Sequence, residues 1–380
     1  MPFSSLGLSA ALVKALVENN YEKPYPIQEQ VIPYILKGKD ILGIAQTGSG
    51  KTAGFVLPIL HLLQHRSAAR NRHIQVLVLV PTRELAVQVG EVFQLFGKVL
   101  PQRIKTMSVY GGVSINPQMI KMQGVDILVA TPGRLLDLVS SKAVYLSEVE
   151  IFVLDEADKM LNMGFQEEMT QVFKLLPTKR QNLLFSATLA KEVHDITEFI
   201  LHDPVKIEIK EEIQNLDLIS QVAYSVEDER KGPLLRYLIK QQNMQQVLVF
   251  TSSVHKADSV VNKLKINDIQ AEALHSKKSQ GARTDALKNF KLGKLRVLVA
   301  TDIMSRGIDI PFLPYVINYE LPRSPKDYIH RIGRTGRAES PGEAISLVSQ
   351  EEQHHFDVIQ KKMRKQVVLI LTKDIDLKGF

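Results

Sequence analysis

Three clusters in the sequence have residue types and spacing suited to a phosphorylated substrate. Ala45-Gln-Thr-Gly-Ser-Gly-Lys-Thr52 combines closely spaced glycines with a lysine and a hydroxyl. Such a turn lets backbone N–H groups wrap phosphate oxygens, helped by the positive end of a following helix. Thr47, Gly48, Ser49 and Gly50 would form the cradle, Lys51 would neutralise the terminal phosphates, and the Thr52 hydroxyl would ligate Mg²⁺. Asp155-Glu-Ala-Asp158 follows the apolar run Ile151–Leu154. A carboxylate at the tip of a buried strand is costly unless it meets a cation or strong donors. Asp155 therefore suits Mg²⁺, directly or through water, and Glu156 suits the base that orients and deprotonates an attacking water. His330-Arg-Ile-Gly-Arg-Thr-Gly-Arg337 repeats arginine every third residue around two glycines that permit close approach. Hydrolysis of a phosphate anhydride is mostly positioning and charge stabilisation, and Arg334 and Arg337 have the charge to complete such a site. They lie far along the chain from the phosphate loop, so the nucleotide would have to bind between two domains.

The elements that must hold these clusters are legible as a rhythm. Apolar, β-branched runs at Ile41–Ala45, Val76–Val80, Ile127–Ala130, Ile151–Leu154 and Asn182–Phe185 alternate with amphipathic segments such as Thr82–Phe96 and Phe165–Leu176. Near-continuous apolar strands joined by helices imply a parallel sheet covered on both faces, with ligands at the carboxyl ends of the strands. The rhythm breaks in the charged stretch Lys206–Leu218 and restarts at Val247–Phe250, Ile269–Leu274, Val297–Ala300, Tyr315–Asn318 and Ala344–Val348. The expected organisation is an α/β domain over 1–207, a linker over 208–218, a second α/β domain over 219–364, and a tail over 365–380 without an assignable role.

Composition agrees. A length of 380 residues suits two or three domains, and 44% hydrophobic with 23% charged residues is ordinary globular usage. The absence of cysteine excludes disulfides, Cys-type zinc sites and a thiol nucleophile, and fits a reducing compartment. No apolar run reaches the roughly 18 residues of a membrane span, and Leu6–Val17, interrupted by Lys14, does not read as a secretory leader. A net charge of +7 is spread over both halves, so any polyanion site must be local. His61, His65 and His73 lie in a basic stretch with no acid or cysteine and read as solvated loop rather than a metal site; Lys361–Lys365 reads as a solvated helix face, with the extension of a polyanion path as the alternative.

Taken together, these motifs resemble those of the DEAD-box RNA helicases of superfamily 2, over Phe3 to Arg364. The resemblance implies two tandem RecA-like domains, each a mainly parallel sheet flanked by helices, with ATP in the interdomain cleft. The family's Q motif matches Tyr21–Gln28, including Lys23, with Phe3 as its isolated upstream aromatic. Gln28 would then read the adenine edge and Tyr21 would stack on the ring. Ser186-Ala-Thr188 matches the motif whose hydroxyls bond the last acid of the tetrad, here Asp158, and His330 joins this coupling set. Thr301-Asp302 and Arg306-Gly-Ile-Asp309 match a motif touching RNA and nucleotide, in which Gly307 and Asp309 face the nucleotide; Gln280 and Arg283 fit a Q-x-x-R element. His275-Ser276 stands where the family usually has His-Gly.

Pro81-Thr-Arg83, Gly111-Gly112 and Thr131-Pro-Gly-Arg134 share hydroxyls, exposed glycine N–H groups and arginines. With Arg283, Thr301 and Asp302 they form the expected RNA contacts, suited to phosphate and sugar rather than to bases. None carries the stacked aromatics of a base-reading module. The sequence therefore leads to a cytoplasmic, monomeric, RNA-stimulated ATPase that uses ATP and Mg²⁺ and separates short duplexes. An ATP-gated RNA clamp with little unwinding is the alternative, because the same domain closure would serve both.

Overall fold

A computed structural model of the chain describes residues 1–46, 48–64, 66, 69, 71–209, 219–301, 313–336 and 342–380. The chain divides into two compact units, Met1–Glu211 and Glu212–Phe380.

The first unit holds strands β1 (Ile41–Ile44), β2 (Val76–Leu79), β3 (Thr106–Val109), β4 (Ile127–Ala130), β5 (Ile151–Leu154), β6 (Gln181–Ser186) and β7 (Val205–Glu208). They form one parallel sheet in the order β3-β4-β2-β5-β6-β1-β7. Period-two alternation sends Val76 and Val78 to one face and Leu77 and Leu79 to the other. Helices α1 (Ala10–Glu18), α2 (Pro26–Leu36), α3 (Lys51–Leu63) and α4 (Arg83–Gly97) cover the first face. A short α5 (Asn116–Ile120) follows β3, and α6 (Pro132–Ser140), α7 (Ala157–Asn162), α8 (Gln166–Leu175) and α9 (Lys191–Ile200) cover the second face. Both faces being dry is why the inner strands read as unbroken apolar runs.

The second unit contains β8 (Ile219–Ser225), β9 (Val247–Thr251), β10 (Ala271–Leu274), β11 (Val297–Thr301), β12 (Tyr315–Asn318), β13 (Gly342–Val348) and β14 (Val368–Leu371). Its order is β10-β11-β9-β12-β13-β8-β14, again all parallel. Adding seven to each strand number of the first sheet reproduces it, so both units share one topology. Helices α10 (Asp228–Gln241) and α11 (Val254–Ile266) pack on one face. On the other lie α12 (Gln280–Lys291), α13 (Pro325–Ile332) and α14 (Gln353–Met363).

Each sheet has seven strands where periodicity exposes five. The missed strands are β3, β7, β8 and β14, all at or next to a sheet edge. Each keeps polar or exposed positions, as in β7 where only Ile207 is buried. The charged stretch read as linker from Lys206 thus begins as an edge strand paired with β1, and residues 210–218 lie outside the described residues. The tail left unassigned supplies β14, paired with β8.

Packing is close where β1 meets β6. Gly43 lies beside Phe185, and a Cβ on Gly43 would sit 2.5 Å from that ring. Phe185 is itself held against Phe55 at 5.5 Å between ring centroids. Gly43→Ala is expected to lower unfolding free energy by about 1–3 kcal/mol through overpacking. A shift in the urea midpoint without a change in slope would register it.

Candidate active site

The strand order sorts the chemistry of the first unit along one edge of its sheet. The carboxyl ends of the neighbours β5, β6 and β1 carry Asp155–Asp158, Ser186–Thr188 and the phosphate loop. Those of the neighbours β3, β4 and β2 carry Gly111-Gly112, Thr131–Arg134 and Pro81–Arg83. With strands about 4.8 Å apart, the turns expected to meet nucleotide and those expected to meet RNA occupy adjoining halves of the same edge.

The phosphate loop leaves β1 and enters α3 through left-handed Gly48 and Gly50, each at φ 86°. At Gly50 the close approach is as demanding as the dihedral, since a Cβ there would lie 2.5 Å from Gln28 Nε2. Gln28 is fully buried; its Oε1 accepts from the Tyr25 N–H at 2.9 Å and its Nε2 donates to the Gly50 carbonyl at 2.8 Å. The residue expected to read a base edge therefore also locks the start of α2 to the phosphate loop. Lys51, 6% exposed, donates to the Ala45 carbonyl at 2.6 Å across the loop. Ser49 Oγ is buried with no hydrogen-bond partner among the described residues, and Thr52 is half-buried. An orphaned hydroxyl, two left-handed glycines and a lysine at a helix N-terminus suit phosphate oxygens. Of the other adenine-side expectations, Lys23 is exposed. Tyr21 is half-buried with its ring edge-on to Phe96, and Phe3 is buried in the core. Thr47 lies outside the described residues.

At the tip of β5, Asp155 and Glu156 are 2% and 4% exposed. Asp155 accepts from the Glu156 N–H at 2.9 Å. Burial pushes its carboxyl up to about 6, against the pull of Lys51 and Lys159 and with the repulsion of Glu156. Glu156 occupies the left-handed region at φ 56°, a strained setting for a glutamate that fixes where its side chain leaves the turn. Its Oε1 accepts from Lys159 Nζ at 2.6 Å. Motif reading passed over Lys159, although acid and lysine three residues apart at a helix start was the available signal. Asp158 accepts a long 3.4 Å bond from the Thr188 hydroxyl and another from the Ala187 N–H at 3.5 Å. The Ser186 hydroxyl, expected on the same acid, instead donates to the Thr188 carbonyl at 2.7 Å.

In the adjoining half, Pro81 is buried and Thr82 caps α4, accepting from the Leu85 N–H at 3.2 Å. Gly112, at φ 71°, lies so close to the Arg83 guanidinium that a Cβ would overlap it. Around Gly111 and Gly133 there is open space, leaving their backbone accessible to a ligand. Thr131 precedes α6 and Pro132 fills its first position. Arg134 is 7% exposed; it donates to the Val113 carbonyl at 2.8 Å and to Asp137 at 3.4 Å. Its guanidinium therefore braces the Gly111-Gly112 turn from beneath rather than lying open at the surface.

In the second unit, His275 at the end of β10 is buried, with Nε2 3.1 Å from Asp258 Oδ1. Arg283 is buried in the first turn of α12 and donates to Gln280 Oε1. Thr301 ends β11 half-buried. His330 lies near the end of α13, and Arg334 in the turn beyond it donates its N–H to the Arg331 carbonyl at 3.2 Å. The evenly spaced arginines are not equivalent. Arg331 is 3% exposed, bonded to Asn318 at 3.1 Å and the Glu320 carbonyl at 2.7 Å, and lies over the Phe250 ring at 4.9 Å. It is a core cation, whereas Arg334 is half-buried. Asp302, Gly307, Asp309 and Arg337 lie outside the described residues.

The raised carboxyl of Asp155 has a consequence for stability. Between about pH 4 and pH 6 the folded chain holds a proton that the unfolded chain releases, so this group's contribution to stability falls as pH rises. Asp155→Asn is expected to raise the melting midpoint of the nucleotide-free protein at pH 7.5, and to raise it less at pH 4. A lower midpoint at pH 7.5 would contradict this cause.

The sequence matches the DEAD/DEAH box helicase model over residues 25–196 and the helicase conserved C-terminal domain model over residues 230–339. It is 39% identical over 366 residues to the ATP-dependent RNA helicase CshA of Listeria monocytogenes, covering 96% of this chain and 69% of that protein. CshA of Limosilactobacillus reuteri is also 39% identical, over 97% of this chain and 73% of its own length. Among solved structures, S. cerevisiae Dbp5 bound to RNA and ADP BeF3 is similar at a TM-score of 0.83 and 32% identity, over 98% of this chain and 96% of that one. Two parallel sheets of one topology, a phosphate loop, an acidic tetrad whose first two carboxylates are buried, and matches over 96–97% of this chain lead to one assignment: the chain belongs to the DEAD-box helicase family.

Proposed function

We propose that this protein is an ATP-dependent RNA helicase that binds single-stranded RNA, hydrolyses ATP to ADP and phosphate, and locally separates short RNA duplexes. The observation that carries this reading is the shared sheet edge, where the phosphate loop and buried acids adjoin turns of glycine, hydroxyl and arginine suited to a sugar–phosphate backbone. The Asp158–Thr188 bond supports a coupling role, since it ties the acidic tetrad to the turn after β6.

In the proposed reaction, glycine-loop N–H groups and Lys51 hold the phosphates. Glu156 accepts a proton from the attacking water as its oxygen bonds to the γ-phosphorus and the bond to the β-phosphate oxygen breaks, releasing ADP. Thr52 and Asp155 would hold Mg²⁺, which supplies charge neutralisation across the β- and γ-phosphates. The buried carboxyl of Asp155 and the unpartnered hydroxyl of Ser49 support that placement. Arg334 and Arg337 bring further positive charge to the γ-phosphate when the two units close on ATP and RNA. Each ligand favours the closed form, so each tightens the other. One strand in a bent path fits the closed form, and a duplex there is pried open. Phosphate loss reopens it. The proposed setting is a monomer in the cytoplasm, consistent with an RNA substrate and a chain without cysteine; no helix among the described residues is long and apolar enough to cross a membrane.

Steady-state ATPase with and without single-stranded RNA tests the reading, and indifference to RNA would refute it. Strand displacement on a short duplex with ATP separates a helicase from a clamp, which would give none. Glu156→Gln should retain ATP and RNA binding while turnover falls by about 10²-fold or more; normal hydrolysis would remove Glu156 from the role of base. Arg337→Ala should depress RNA-stimulated turnover far more than ATP affinity; a loss confined to affinity would remove it as a transition-state cation.

A further inference from the structure

Two lysines, Lys51 and Lys159, pull on the buried Asp155 at the tip of β5. Their own bonds differ. Lys51 donates across the phosphate loop to the Ala45 carbonyl at 2.6 Å, which places it with the loop. Lys159, on α7, donates from Nζ to Glu156 Oε1 at 2.6 Å, and the two side chains are 16% and 5% exposed. A short, charge-assisted bond that is largely shielded from water holds a carboxylate more firmly than an exposed helical pair does.

Both ends of this bond are anchored. Glu156 sits at φ 56°, which fixes the direction in which its side chain leaves the backbone. Ala157 and Met160, which flank Lys159 on α7, are fully buried. The Lys159 and Met160 N–H groups donate to the Glu156 carbonyl at 3.0 and 3.1 Å. The short helix is therefore tied to the same residue whose carboxylate Lys159 grips.

Stability does not account for the lysine. Drawing an ammonium group out of water costs about as much as a buried ion pair returns, and an apolar side chain in such a place often folds as well. Orientation does account for it. An unheld glutamate side chain samples several rotamers, whereas a base must meet its water in one geometry. A neighbouring cation also weakens the base, but catalysis of phosphoryl transfer is almost entirely positioning and charge stabilisation. The loss of orientation on removing Lys159 therefore outweighs the gain in basicity.

We propose that Lys159 is a positioning residue for ATP hydrolysis, holding Oε1 of Glu156 so that the carboxylate faces the attacking water in one orientation. This role rests on the reading of Glu156 as the base and is exerted through Glu156 rather than on the phosphates.

RNA-stimulated ATPase of the full chain, with the melting midpoint of each nucleotide-free variant, tests it. Lys159→Met is expected to lower kcat about tenfold while KM for ATP changes less than about twofold. Lys159→Arg, which keeps a charged donor, should recover most of the loss. Added to Glu156→Gln, Lys159→Met should change kcat less than about twofold, because the carboxylate it positions is gone. The midpoints read the contact without turnover: Lys159→Met should lower the midpoint less beside Glu156→Gln, where no Glu156 charge is left stranded. If Lys159→Met melts below the assay temperature, Lys159→Gln carries the same comparisons. Unchanged or higher kcat, a loss confined to KM, no recovery by arginine, or equal losses with and without Glu156→Gln would each overturn the proposal. Normal turnover in Glu156→Gln alone would remove the base itself, an outcome distinct from an inactive Glu156→Gln beside a fully active Lys159→Met.

Discussion

A carboxylate buried at the end of an apolar strand is the constraint around which the first unit is arranged. Asp155 is almost wholly buried, and that burial makes its charge expensive. What offsets the cost lies nearby: Lys51 at the start of α3, Lys159 one turn into α7, and the Glu156 N–H. None of these belongs to the same element as β5, so a charged group can stand there only if β1, β5 and their following helices are held in register. The dry, closely packed sheet supplies that rigidity, and Gly43 against Phe185 indicates how little slack it has. A buried carboxylate held near a buried lysine leaves electrostatics that the surrounding groups balance only in part.

The same topology appears twice with different chemistry at its carboxyl edge. In the first unit that edge carries glycine turns, carboxylates and a lysine. In the second it carries a buried His275 paired with the partly exposed Asp258 of α11, and an arginine on α12. Parallel strands bring loops that are distant in sequence side by side, so one scaffold displays two sets of side chains. Division of labour between the units then follows from residue choice at a few turns rather than from a change of fold.

Several residues of the motifs support the framework of the site. Arg134 braces the Gly111-Gly112 turn, Arg331 lies over the Phe250 ring in the core, and Gln28 fastens α2 to the phosphate loop. Each is polar and lies inside a motif, so residue type alone marks it as a contact. Burial also gives it a structural duty, because a polar group removed from water must find partners within the protein.

The sequence by itself determined the class of fold, the phosphate loop, the acidic tetrad and the order of motifs. Unbroken apolar strands and glycine-spaced turns leave a pattern within a few residues of one another, and local patterns can be read from a single chain. Tertiary structure decided what depends on neighbours distant in sequence: the strand order that divides one edge into two chemistries, the edge strands β3, β7, β8 and β14, and the inward turn of Arg134 and Arg331. Edge strands bury too little surface to need an apolar run. An arginine carries the same charge in water and in a core, and only the groups packed around it settle which it occupies.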